Sequence, residues 1–165
     1  MPTRPDQFPR IALKRAHAPD VVRLFEQLAD RAVVFARMQD EFTESVTRNR
    51  TSRERRVARL SAPQQRMLAE FEHDAEQAVR DMERYAASMD DAALLTSALS
   101  TVEQQIQLDE HTLRGWHADD RPTAMQLLDY RRETMRLIEQ FVESSPFRGR
   151  VTSIWRRKGI TKPTV

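Results

Sequence analysis

The chain reads as an all-α protein: an up-down antiparallel four-helix bundle with basic N- and C-terminal extensions. Three observations predict it. Only three of 165 residues are glycine. Apolar residues recur at three- and four-residue spacing through nearly all of residues 20–144, the period of a helix with one buried face. Clusters of turn-forming residues then cut that stretch into segments of similar length.

The first helix is expected from about residue 20 to at least 46. Val21, Leu24, Phe25, Leu28, Ala32, Phe35, Met38, Phe42 and Val46 form its stripe, and 21, 28, 35 and 42 are a strict seven-residue repeat. Pro19 and Asp20 suit a helix start, because proline fits the first turn and an acid is favoured near the positive end of the helix dipole. Thr47 to Arg56 then has no apolar residue, so no core can cover it.

Ser61-Ala-Pro-Gln64 has the form of a capping box and opens a second helix. Its seam is Leu68, Phe71, Ala75, Ala78, Met82, Tyr85 and Met89. Beyond Met89 this register would bury Thr96 and Glu103, whereas the apolar residues sit at Leu95, Leu99, Val102, Ile106, Leu113 and Trp116. The phase change places a third helix from Ser88–Asp91 to about Gly115, followed by turn chemistry as far as Pro122. Asp119, Asp120 and Pro122 open the fourth. Its stripe is Ala124, Leu127, Leu128, Met135, Ile138, Phe141 and Val142, flanked by Tyr130 and Leu137, and it stops at Ser144-Ser145-Pro146.

Helices of about 23 to 27 residues are about 35 to 40 Å long, and matched lengths joined mostly by short turns favour the bundle. The alternative is an elongated three-helix or hairpin coiled coil. It follows if residues 88–91 are continuous helix or the first helix runs on to Leu60. The expected organisation is a basic, proline-containing extension at 1–18, the helical bundle at 19–146 and a basic tail at 147–165.

Composition excludes more chemistry than it supplies. With glycine only at 115, 149 and 159, neither a dinucleotide fingerprint nor a P-loop can be written. The absence of cysteine removes disulfides, thiolate nucleophiles and cysteine metal sites. The longest uncharged run is Ala92–Val102, half the roughly 20 residues a membrane span needs. Residues 1–16 have no apolar stretch resembling a secretory signal, so a cytoplasmic location is expected.

The net charge of +2 hides a partition. Residues 1–15 hold four basic and one acidic residue, residues 148–165 hold six basic and none acidic, and residues 16–147 hold 17 arginines against 24 acids. Within that acidic middle, Arg48, Arg50, Arg53, Arg55, Arg56 and Arg59 cluster against Glu54 alone. Such a run can fork onto phosphates, pair with an acidic protein surface, or lie solvated between helices. In the tail, Arg148, Arg150, Arg156, Arg157 and Lys158 surround Phe147, Val151, Ile154 and Trp155 at helical spacing. That basic amphipathic segment fits a partner groove, nucleic acid or an anionic membrane, or folds back onto the bundle.

A search for catalysis finds no constellation. Glu70 and His73 have the spacing used by di-iron bundles, but both point away from the Leu68–Phe71–Ala75 seam and no second such pair exists. His111 and His117 fall on different helix faces. No nucleophile motif surrounds the serines and threonines, and the methionines lie on apolar stripes as core filling. Asp109 and Arg131 do interrupt the seams of the third and fourth helices, which makes them candidates for a structural polar pair in the core. No metal, cofactor, small-molecule substrate or enzymatic activity is inferred. The expected function is protein–protein interaction, as an adaptor, chaperone-like or scaffold protein that also has the means to self-associate. The alternative is a nucleic-acid-binding accessory protein using the Arg48–Arg59 cluster and the tail, and membrane attachment through Trp155 ranks third.

Overall fold

A computed structural model describes residues 17–47, 62–85, 88–116 and 118–157. The described residues form a helical bundle of α1 (Pro19–Thr47), α2 (Ala62–Tyr85), α3 (Asp91–Leu113), α4 (Arg121–Ser144) and α5 (Arg148–Arg157), with no strand among them. Along α1 the seven-residue repeat becomes a buried stripe: Val21, Leu24, Phe25, Leu28, Ala32, Phe35 and Phe42 all lie in the core. Pro63 stands in the first turn of α2, while its expected cap Ser61 lies outside the described residues.

The phase change after Met89 is a true break. Asp90 has extended backbone (φ −76°, ψ 171°), and its carboxylate accepts from the Ala93 amide at 2.9 Å. This is an N-cap, so no helix runs continuously through it. The next connection begins one residue before Gly115, where the Gly115 amide donates to the Thr112 carbonyl and the Trp116 amide to that of Leu113. Pro122 occupies the first turn of α4, and Asp120 contributes its carbonyl to Ala124 rather than a side-chain cap. After α4 the chain turns on Ser145. Its hydroxyl donates to the Val142 carbonyl at 2.7 Å and accepts from the Phe147 amide at 3.2 Å.

That turn sends residues 148–157, expected as the start of the basic tail, back over the bundle as α5. Val151 and Trp155 are buried in the main core, with Phe147 and Ile154 packed against it. The helical body therefore continues to Arg157.

Side-chain contacts give the helix directions. Phe71 meets His111 across α2 and α3, and Asp109 and Glu110 meet Arg131 and Arg132 across α3 and α4, so each successive pair runs antiparallel. α1 opposes α4, since Arg31 reaches Thr134 and Phe42 reaches Trp116, just before α4 starts. α1 and α3 begin at the same end, where His17 meets Asp91.

Two apolar clusters result. The larger joins the first half of α1, most of α3, the second half of α4, and α5. The smaller joins Phe35 and Phe42 to Ala124 and Leu127, with Trp116 and Tyr130 against them. Phe42 and Trp116 meet edge to face at 4.9 Å, a favoured aromatic geometry.

Candidate functional site

Between the two apolar clusters lies a polar layer built by α1, α3 and α4. Arg131 is 6% exposed. Its Nε lies 2.8 Å from Asp109 Oδ2, and its guanidinium stacks 4.3 Å over the Phe35 ring. The two residues that interrupt the seams of α3 and α4 thus meet. A third charged residue completes the layer. Arg31 stands beside Ala32 at the edge of the α1 stripe, and it spans to α4. Its Nε donates to Thr134 Oγ1 at 2.8 Å, one terminal nitrogen donates to the Tyr130 carbonyl at 3.1 Å, and its guanidinium lies 4.1 Å over the Tyr130 ring.

Thr134 meets two demands at once. It accepts from Arg31 and donates its own hydroxyl proton to the Tyr130 carbonyl at 3.0 Å. Glu133 is 3.7 Å from Arg31 but largely solvated, so screening leaves it little hold on that charge. The layer holds charge and hydrogen bonds in fixed geometry, but the cavity beside it measures only about 20 Å³. That volume admits one water-sized body.

A second polar focus ties the ends of three helices together through Asp90 and Asp91. Asp91 Oδ1 lies 2.7 Å from Nδ1 of the buried His17, and its other oxygen accepts from the Ala18 amide at 3.1 Å. Asp90 caps α3 and also pairs with Arg150 of α5. Two adjacent acids therefore tie the starts of α1 and α3, and Asp90 adds a solvated contact to α5.

The basic candidates separate accordingly. Arg150 and Arg148 face bundle acids, Asp90 and Glu143. Arg156 and Arg157 are exposed, with no acidic partner among the described residues. Trp155 is 3% exposed and belongs to the core rather than to a surface. Arg48, Arg50, Arg53, Arg55, Arg56, Arg59 and Lys158 lie outside the described residues. Glu70 and His73 are exposed on α2, and so is Glu72 one turn before Glu76. Partial desolvation, reinforced by repulsion from Glu76, raises the Glu72 carboxyl above its ordinary value.

Large apolar side chains also reach the surface: Val33 at 49% and Val34 at 42% exposure on α1, Met67 on α2 and Met125 on α4. No helix among the described residues is long and apolar enough to cross a membrane.

Sequence reasoning did not single out Arg31, Thr134 or His17, and it offered Asp91 solely as a cap for the third helix. For Arg31 no gap marks the position, since Leu28, Ala32 and Phe35 carry the stripe past it. For His17 nothing local marks its role, because its partner lies 74 residues away. No known protein family, curated relative or solved structure matches this chain.

Proposed function

We propose that this chain is a non-enzymatic, cytoplasmic protein–protein interaction module, an adaptor, chaperone-like or scaffold protein. The observation that carries the reading is the pair Val33 and Val34. These are adjacent large apolar side chains exposed on α1, with Asp30 and Arg37 exposed nearby. A single exposed valine is ordinary, whereas an apolar spot rimmed by charge has the make-up of a contact surface. The rest of α1 is held rigidly by its stripe and by Arg31, so a partner meets a preorganised helix.

The test is photocrosslinking in cells from positions 33 and 34, with position 23 as an exposed control. The expected result is one discrete adduct from 33 and 34, absent at 23 and lost in a Val33→Asp, Val34→Asp variant that keeps its melting temperature. If positions 33 and 34 give no adduct while sedimentation shows a monomer, this reading fails.

A nucleic-acid accessory role is the second reading, favoured by the exposed Arg156 and Arg157. It expects binding that weakens steeply with salt and disappears when Arg156, Arg157 and the Arg48–Arg59 cluster are neutralised. Binding that survives those substitutions would remove it.

A further inference from the structure

We propose that the polar layer between α1, α3 and α4 is a binding site for a single monoatomic anion, chloride being the natural occupant. The cavity beside the layer is lined by Arg31, Phe35, Gln105, Arg131 and Thr134 among others. Gln105 is 2% exposed, and its amide nitrogen has no hydrogen-bond partner among the described residues. A buried donor left unsatisfied costs about 1–3 kcal/mol, so an occupant that accepts from it is favoured.

The lining selects the kind of acceptor. Its polar side chains offer chiefly N–H donors: the Gln105 amide and the guanidinium groups of Arg31 and Arg131. The Thr134 hydroxyl has its proton committed to the Tyr130 carbonyl, and that carbonyl also accepts from Arg31. A water placed there must find acceptors for two protons, whereas an anion needs donors alone.

Charge points the same way. Asp109 offsets Arg131 at 2.8 Å, but among the described residues the acid facing Arg31 is the solvated Glu133 at 3.7 Å. The interior side of the layer therefore carries excess positive charge in a low-dielectric setting. Size agrees, since about 20 Å³ accommodates one water-sized ion.

Bromide serves as the probe. Crystals of the full chain soaked in sodium bromide should show an anomalous peak in the cavity against the Gln105 amide. In solution, replacing sodium gluconate by sodium chloride at constant ionic strength should raise the melting temperature, with the rise growing as the logarithm of chloride concentration. Gln105→Leu should abolish that rise. If that variant does not fold, the wild-type chain should still broaden the chloride-35 resonance, with the broadening reversed by bromide, and an unbroadened resonance overturns the proposal. A water with no anomalous signal, or an equal chloride response in Gln105→Leu, overturns it as well. A bromide peak without chloride-specific stabilisation marks an adventitious ion only and overturns it equally.

Discussion

α2 and α3 have almost the same length, 24 and 23 residues, and pack antiparallel, yet their surroundings differ. α3 buries eleven residues, spread around most of its circumference, and it touches α2, α4 and α5. Among the described side chains of α2 only Ala75 is buried, while Glu70, Glu72 and Asp74 stay in water. The tidier apolar stripe therefore belongs to the peripheral helix. Segregating apolar and charged residues suits a helix with one covered face, and a helix covered on several faces has no polar side to display.

The largest predicted effect tests that division directly. Leu95 is fully buried in α3 and Met67 is 43% exposed on α2. Leu95→Ala should lower the unfolding free energy by about 2–5 kcal/mol in urea titrations. Met67→Ala should stay within about 0.5 kcal/mol. Comparable losses at the two sites would mean that α2 is as much a part of the core as α3.

This contrast also explains what was legible in the sequence. The stripe of α1 could be read because its core residues are apolar and repeat every seven positions. The pairing of Asp109 with Arg131 could be read because each breaks an apolar seam. The second buried face of α3 could not be read from polarity, because Thr96 and Thr101 are polar by type but neutralise themselves locally. Their hydroxyls donate to the carbonyls of Ala92 and Ser97 at 2.7 and 2.8 Å, so they enter the core as small apolar bodies do. The uncharged run Ala92–Val102 was the available clue: it is too short for a membrane but suited to an all-round buried helix. The position of α5 is set by Val151 and Trp155 entering a core built by distant helices, which no local pattern announces.

Next in size comes the ion pair on the α4 side of α3, set against an exposed pair on α2. Arg131→Leu leaves the Asp109 carboxylate half-buried without its closest counter-charge and should cost about 1–3 kcal/mol. Adding Asp109→Leu should recover most of the loss, because an apolar pair in the same space needs no charge compensation. On α2, Arg80 reaches Glu76 at 3.7 Å with both side chains open to solvent, and Arg80→Ala should change stability by at most about 0.5 kcal/mol. A double variant no more stable than Arg131→Leu alone would show that the two residues act independently.

The smallest effect concerns charge on α2 itself. Glu72 and Glu76 stand one helical turn apart, and the Glu72 carboxyl is raised by partial desolvation first and by Glu76 second. An acid whose folded-state pKa lies above its unfolded value holds its proton more tightly in the folded protein. Stability from this group therefore increases as pH falls through that raised pKa and is withdrawn as pH rises again. Glu72→Gln removes the repulsion from Glu76 without altering shape. That variant should be more stable than the wild type by about 0.2–0.5 kcal/mol, and the difference should vanish in acid once Glu72 is protonated in both states. Urea titrations across the acid range measure it, and an advantage of Gln that grew as pH fell would reverse the assigned sign. The effect is small because α2 meets water along this face, whereas the same unpaired carboxylate on the inner face of α3 would carry the desolvation cost that binds Asp109 to Arg131.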